Sequence, residues 1–238
     1  YWALTNTCLT GIATDTSKTN RRNTLAYEYF DVDLDQFVKD MEDVPSSLPP
    51  LAINKKLMRA SELHSQDMFD NVFQGHQSST NPPSPHEPGD TIGDRASRHS
   101  YDYSRVGENV YSYAASIPYA HAGLEVDWSN GPGGMQDPPA HRLNIHSKEF
   151  KEIGVGIIHD RNTADGNTVG PVVLTQNFGT AQNSSAFITG VAYFDLDGDK
   201  FYNVGEGIGG VRVDVDGMDY YAVTSDSGGY AIPAENGA

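Results

Sequence analysis

The chain has 238 residues, and its 16 Lys and Arg against 32 Asp and Glu give a formal net charge of −16. This balance disfavours nucleic-acid binding, which needs a basic surface, and suits a protein that binds divalent cations. No run reaches the ~18 apolar residues of a membrane span, and the single cysteine, Cys8, excludes an intrachain disulfide.

Helices are predicted in the first half of the chain. Residues 1–26 show no clear period and are expected to form an N-terminal segment, either a tail or a strand. Apolar residues recur every three or four positions over residues 27–41 and predict a helix, and a second is predicted over residues 54–72 with Asn54 as N-cap. Residues 74–106 are expected to be irregular apart from a short helix over 91–99, and a further helix is predicted over 118–128.

Strands are predicted in the second half. Alternating apolar residues over 151–159 and 169–179 predict two strands that close the large domain, residues 27–181, as an α+β layered fold. Residues 182–186 are a polar linker. Short strands predicted over 187–194, 210–215, 220–224 and 229–232 then indicate a small β-sandwich in residues 187–238.

A twelve-residue acidic run lies in this small module. The run is residues 195–206. Calcium takes six to eight oxygen ligands, and oxygen-bearing side chains recur in the run at the spacing found in calcium-binding loops. The position that is usually glycine holds Lys200, and strands flank the run, so we expect a structural calcium site between strands. An acidic surface turn is the alternative. The predicted ligands are Asp195, Asp197, Asp199, the carbonyl of Phe201, Asn203 and Glu206.

The sequence around this loop has a recognisable pattern. Residues 188–195, then 205–213 and 224–230, with Gly-Val-Ala-Tyr-Phe-Asp before the loop and Ser-Asp-Ser-Gly-Gly-Tyr after it, resemble the B-type repeats of bacterial surface adhesins. That resemblance implies a calcium-stabilised β-sandwich spacer. We expect the module to be C-terminally incomplete at Ala238, lacking a final strand or two.

The large domain carries histidine and glutamate motifs in a fixed order. They are His64-Ser65 followed by Asp67-Met68, then the isolated His76, Gly107-Glu108-Asn109, His141-Arg142 followed by Asn144-Ile145, Ile153-Gly154-Val155-Gly156, and Thr175-Gln176 followed by Phe178-Gly179. Taken together, they resemble the bacterial branch of the CAP superfamily, which includes cysteine-rich secretory, antigen-five and pathogenesis-related proteins. The resemblance covers about residues 27–181.

The CAP resemblance implies a three-layer α-β-α sandwich with a cleft that holds two histidines and two acidic residues. His76 matches the first histidine, Glu108 the first acid and His141 the second histidine. The second acid of the family follows a tryptophan, but Ser129 and Asn130 follow Trp128 here, so Asp127 or Glu125 are the candidates. Each of these residues could instead have a purely structural role, and His64 could either line the cleft or only make local hydrogen bonds.

Two functions are compatible with these residues. One is a secreted or cell-surface monomer that binds a small ligand, a lipid or a cell-surface polymer in the cleft, with the calcium-braced module as a spacer. The other is a metal-dependent, peptidase-like hydrolase in which His76 and His141 bind zinc or another divalent cation and Glu108 is the base. No zincin motif, serine-nucleophile elbow or Cys-His arrangement appears, so binding is favoured.

Overall fold

The computed structural model describes residues 18–45, 48–218 and 220–234, with the side chains of 18–20 left out. In this part of the chain the helices are α1 (Lys18–Phe30), α2 (Leu34–Glu42), α3 (Lys55–Asp70), α4 (Ile92–Arg98), α5 (Ile117–Val126) and α6 (Ala140–Ile145). The strands are β1 (Ala52–Ile53), β2 (Tyr103–Ala114), β3 (Glu152–Ile158), β4 (Asn162–Ala164), β5 (Asn167–Val169), β6 (Val172–Ala181), β7 (Ala186–Val191), β8 (Arg212–Asp214), β9 (Tyr221–Val223) and β10 (Gly229–Ala234).

The N-terminal helical region differs from the prediction of one helix over residues 27–41. It consists of α1 and α2, because Asp31 adopts a left-handed φ of 53° and ends the first helix. The Asp33 side chain then accepts the Gln36 N–H over 2.9 Å and caps the second. Residues 18–26 are therefore helical rather than a tail or a strand, while residues 1–17 lie outside the described part.

A four-stranded sheet in the order β1-β3-β6-β2 forms the centre of the large domain. Alternate residues of β6 point to opposite faces. Val172, Leu174 and Phe178 join a core with Ala120 and Leu124 of α5, whereas Val173 packs with Met68 of α3 on the other face. Helices thus cover both faces, which agrees with the expected mixed α and β class and with α-β-α layering.

Helix α3 and strand β3 approach so closely that side chains cannot fit between them. A Cβ on Gly154 would lie 2.1 Å from the backbone of Leu57, and one on Gly156 would lie 2.2 Å from that of Ser61. The Ser61 hydroxyl donates to the Gly154 carbonyl over 3.0 Å, so short polar side chains replace apolar packing here. This close approach explains why both Gly positions of the Ile-Gly-Val-Gly motif carry no side chain.

Several elements were not predicted or were predicted with other bounds. Strand β2 begins at Tyr103, inside the segment expected to be irregular. Its pairing with β6 shifts in register near both ends, so buried and exposed side chains do not alternate regularly along it. The strand predicted over 169–179 is divided at Gly170-Pro171, so that β5 pairs with β4 and β6 begins at Val172. Helix α6 and the short β1 were not predicted.

Strands of the C-terminal module pair as two separate ribbons, β7 with β10 and β8 with β9, both antiparallel. Ile232 on β10 is fully buried. A complete β-sandwich, like the boundaries proposed for the domains, stays a prediction. Within the described residues, no helix is both long and apolar enough to cross a membrane.

Candidate functional site

A cleft of about 330 Å³ opens in the large domain between the segment after α3, strand β2 and helix α6. The three residues predicted to form the site, His76, Glu108 and His141, all line it, although 32 and then 33 residues separate them in the chain. The other lining residues are Gln74, Gly75, Val110, Gln136, Ala140 and Asn144.

His76 and Glu108 form the first histidine–carboxylate pair of the cleft. The His76 Nδ1 atom lies 3.0 Å from Glu108 Oε1, and the His76 side chain is 58% exposed while that of Glu108 is 1% exposed. Glu108 lies in the middle of β2. His76 lies five residues after Asn71, the C-cap of α3, so a strand positions the carboxylate and a short loop positions the imidazole. The imidazole therefore reaches solvent while the carboxylate supports it from below.

Both carboxylate oxygens of Glu108 have hydrogen-bond partners. Its Oε2 atom accepts from Arg95 Nη2 over 2.5 Å, and the amide of Asn177, oriented to satisfy its neighbours, donates to the same oxygen over 2.9 Å. Burial by itself raises the pKa of this carboxyl. The hydrogen bond from His76 and the charges of His64 and Arg95 outweigh burial, so the pKa of Glu108 is lowered.

His141 and Asp127 form the second pair. Asp127 Oδ1 lies 2.6 Å from His141 Nδ1, and Oδ2 accepts the backbone N–H of His141 over 2.8 Å. Asp127 caps the end of α5 with a left-handed φ of 61°, which turns its side chain toward α6. Glu125 points elsewhere and binds His146 Nε2 over 2.5 Å. Of the two candidates for the second acid, Asp127 is therefore the one beside a cleft histidine.

Two asparagines join the two halves of the cleft. Asn109 Nδ2 donates to the backbone carbonyl of His141 over 3.2 Å, and Asn144 Nδ2 donates to Asn109 Oδ1 over 2.9 Å. Asn144 also reaches the Glu108 carbonyl over 3.3 Å. Because these bonds link β2 to α6, they fix the separation of the two histidine–carboxylate pairs.

Both cleft imidazoles use Nδ1 for their carboxylate, and neither Nε2 makes a hydrogen bond within the described residues. A carboxylate on one ring nitrogen is the usual arrangement of a histidine that binds metal through the other. The donor chemistry therefore fits a divalent cation such as zinc with two protein ligands. In the described ranges, the one group of three or more acidic, His or Cys side chains close enough to hold an ion is elsewhere, at Asp195, Asp197 and Asp199.

His64 lies beneath the cleft and does not line it. The side chain is fully buried, and its Nε2 bonds to the Gly75 carbonyl over 2.9 Å. Its ring lies 6.4 Å from that of His86, which in turn lies 6.2 Å from that of His99. Burial and the positive charge of Arg95 lower the pKa of His86 to about 3. Neither this cluster nor the role of Arg95 was predicted from the sequence, because both depend on packing between distant segments.

The predicted calcium loop brings its acids together. Carboxylate oxygens of Asp195, Asp197 and Asp199 lie within 4.8 Å of one another. Lys200, at the position that is usually glycine, adopts the left-handed φ of 68° that such a turn requires. Strand-like backbone precedes the loop, and a bridge between Tyr193 and Gly207 closes its base.

The last two predicted ligands also face this turn. Asn203 Nδ2 lies 3.1 Å from carboxylate oxygens of both Asp197 and Asp199. Glu206 is buried, and its two oxygens accept the N–H groups of Leu196 and Asn203 over 2.9 and 2.7 Å. Glu206 therefore links the two ends of the loop through backbone hydrogen bonds, while the group of converging carboxylates consists of Asp195, Asp197 and Asp199.

Comparison with known protein families finds a match within the large domain. The family model of CAP, the cysteine-rich secretory protein family, matches residues 45–178, which confirms that part of the resemblance found in the sequence. The resemblance of the C-terminal module to adhesin B-type repeats stays a prediction. A sequence comparison with curated proteins gives no match.

Two solved structures are similar in part. An extracellular protein containing an SCP domain from Bacillus anthracis strain Ames is 22% identical, with a TM-score of 0.36 over 70% of this chain and 45% of that one. An outer surface protein from Borrelia burgdorferi is 15% identical, with a TM-score of 0.41 over 71% of this chain and 97% of that one. The chain thus spans less than half the length of the Bacillus anthracis protein.

Proposed function

Because this chain belongs to the cysteine-rich secretory protein (CAP) family, we propose that it is an extracellular binding protein whose cleft captures a ligand through a divalent cation. His76 and His141 hold the cation, for which zinc is the best fit to imidazole donors. Glu108 and Asp127 orient the two rings. The net charge of −16 suits a protein that binds divalent cations.

One observation carries the proposal. Each imidazole is fixed through Nδ1 by a carboxylate that is 1% exposed, and each leaves Nε2 without a hydrogen-bond partner among the described residues. A hydrogen bond that fixes Nδ1–H leaves the Nε2 lone pair ready to bind a metal without further reorganisation. The cleft therefore offers two oriented nitrogen ligands.

The number of ligands indicates how the cleft binds. Zinc in proteins usually has four ligands, and a site with two imidazoles leaves the others to water or to a bound molecule. Bound zinc would supply a Lewis acid that attracts the oxygen atoms of a ligand. Gln74, Gln136 and Asn144 add amide groups around it. We expect the ligand to carry a carboxylate or phosphate, whether it is a small molecule, a lipid or a cell-surface polymer.

The surroundings of Glu108 favour binding over hydrolysis. A general base needs a free oxygen to accept a proton from water. Both Glu108 oxygens are engaged, one by His76 and the other by Arg95 and Asn177, and the pKa of the carboxyl is lowered. A carboxylate in these surroundings is better suited to orienting a histidine than to deprotonating water.

The C-terminal module completes the proposal. Three acidic side chains that converge, with Asn203 and Glu206 beside them, suit one calcium ion with oxygen ligands. Because this loop lies in a different module from the cleft, we assign its calcium a structural role in a spacer.

Zinc titration of the metal-free protein by calorimetry, with calcium present to saturate the acidic loop, tests the proposed function. We expect one site per chain that is lost in His76→Ala and in His141→Ala but kept in His159→Ala, since His159 is an exposed residue outside the cleft. A stoichiometry that is the same in all four proteins would overturn the proposal. Metal-dependent cleavage of a peptide library by the native protein would instead favour the hydrolase.

A further inference from the structure

We propose that the helical segment formed by α1 and α2, residues 18–42, positions the His141 half of the cleft. This segment precedes the family match, which begins at residue 45, and none of its residues lines the cleft. It contacts Arg142, next to His141, and the loop between Trp128 and Gln136. Asp40 is the positioning residue that its contacts single out.

Arg142 is the first point of contact. Its side chain is 5% exposed, and its Nη2 atom lies 2.7 Å from Asp40 Oδ2. Gln36 donates to the other oxygen of Asp40 over 2.7 Å. This hydrogen bond within α2 helps to orient the carboxylate toward the guanidinium of Arg142. The Arg142 guanidinium also lies over the Phe37 ring, 5.3 Å from its centroid. Helix α2 thus holds the residue that follows His141 by charge, hydrogen bonding and aromatic contact.

Arg142 also contacts the residue that precedes Asp127, the carboxylate partner of His141. Arg142 Nη1 donates to the Val126 carbonyl over 3.4 Å, and Val126 immediately precedes Asp127. Arg142 therefore connects α2 to the end of α5, where Asp127 begins its two bonds to His141. A shift of this guanidinium would move Asp127 and His141 relative to one another.

The loop after Asp127 is the second point of contact. Trp128 packs edge-on against Tyr27 at 5.8 Å between centroids and stacks with Phe30 at 6.3 Å. The Asp33 N–H donates to the Gly133 carbonyl over 2.9 Å. A Cβ on Gly134 would lie 2.4 Å from the Phe30 carbonyl, so the loop touches α1 without a side chain between them.

This loop reaches the cleft through Gln136. The Gln136 N–H donates to the Asp127 carbonyl over 2.8 Å, and its side-chain Nε2 lies 3.4 Å from His141 Nδ1. His76 has no contact of this kind. Among the described residues its imidazole bonds to Glu108 on β2, and its backbone carbonyl accepts from Arg95 on α4. The helical segment therefore acts on one half of the cleft and leaves the other unsupported by it.

Because the helical segment contacts the His141 half of the cleft, the test measures the two cleft histidines separately. It compares Asp40→Ala, Asp40→Asn and Asp40→Glu with Asp35→Ala as a control. Asp35 is an exposed acid on the same helix. Nitrogen and carbon-bound proton resonances of the two cleft imidazoles are measured by NMR without metal. We expect Asp40→Ala to shift the His141 signals and leave those of His76 in place, and Asp40→Glu to restore most of the native His141 pattern.

Zinc affinity is the second measurement, and it rests on the proposed function. Loss of a residue that orients a ligand lowers affinity about 10–100-fold, so Asp40→Ala should fall in or just below this range and Asp35→Ala should not change. If the native protein binds no zinc, the proposed function fails while the His141 signals still test the positioning role. Signals of both histidines moving equally, or neither moving, would overturn the inference. Asp40→Asn keeps the side-chain volume but removes the charge. It therefore takes the place of Asp40→Ala in both measurements if the alanine variant does not fold.

Discussion

The Nδ1 atom of His141 lies 2.6 Å from the Asp127 carboxylate, which also accepts the backbone N–H of His141 over 2.8 Å. Two bonds from one carboxylate fix both the position of the residue and the orientation of its ring. Nδ1 carries the proton in such a contact with an ionised carboxylate, so the Nε2 lone pair is the one available to a metal. Much of the proposed chemistry depends on this pair.

Replacing Asp127 should therefore weaken the site even though both histidines are still present in the chain. We expect Asp127→Asn to lower zinc affinity about 10–100-fold, because the amide no longer holds the imidazole in one tautomer. Competition with a chromophoric chelator measures the change. Asp165→Asn is the matched control, since Asp165 is an exposed turn residue whose left-handed φ of 51° asparagine also tolerates. Equal affinities for the two variants would contradict the role given to Asp127.

Arg95 should be important for stability. Its guanidinium is fully buried against Glu108 and also donates to the carbonyls of His76 and Asp90 over 3.0 and 2.7 Å. Removing one partner of a buried ion pair leaves an uncompensated charge and costs about 3–5 kcal/mol. We expect Arg95→Gln to lower the free energy of unfolding in urea by about this amount.

The control for Arg95 is an ion pair at the surface. Arg59 lies 3.4 Å from Glu62, and both side chains are largely exposed at 59% and 47%. Exposed pairs contribute about 0–1 kcal/mol, so Arg59→Gln should have little effect. If the two variants lost similar stability, Arg95 would have no special role beneath the cleft.

Calcium should raise the melting temperature of the C-terminal module. A ligand that binds only the folded state adds about 2.7 kcal/mol when its free concentration is one hundred times its Kd. Scanning calorimetry with calcium and with a chelator measures the difference. We expect it to shrink in Asp197→Ala and in Glu206→Gln and to persist unchanged in Asp216→Asn, an exposed acid outside the loop. A native transition that ignores calcium would show the loop to be an acidic surface turn.

Acidification should destabilise the fold through His86. Burial, with the charges of Arg95, His64 and His99 beside it, lowers the pKa of His86 from 6.5 to about 3, although Asp90 opposes this. Between these values the unfolded chain binds a proton that the folded chain does not. The stabilisation is therefore complete above pH 6.5 and is lost as the pH falls toward 3, with a limiting slope of about 1.4 kcal/mol per pH unit.

Urea unfolding between pH 7.5 and pH 4.5 checks this expectation. His86→Gln should flatten the fall in the free energy of unfolding, and His159→Gln, at an exposed position, should not. Some slope should remain in His86→Gln, because burial lowers the pKa of His64 and of His99 in the same direction. An unchanged slope in His86→Gln would show that its proton uptake is not linked to folding.

The sequence by itself determined the chemistry that depends on short spacing. The predicted oxygen ligands of the acidic loop are separated by one or two residues, and a single turn brings the carboxylates of Asp195, Asp197 and Asp199 together regardless of the rest of the fold. The ordered motifs around His76, Glu108 and His141 were enough to identify the family. Helices and strands with regular periods were also predicted, since periodicity directly reflects which face is buried.

Only the tertiary structure distinguished Asp127 from Glu125. Both lie near the end of α5, and the left-handed turn at Asp127 decides which carboxylate meets His141 and which meets His146. The ion pair of Arg142 with Asp40, across 102 residues, was equally hidden from the sequence. Such pairs depend on how separate elements pack against one another, and no local period or spacing records that packing.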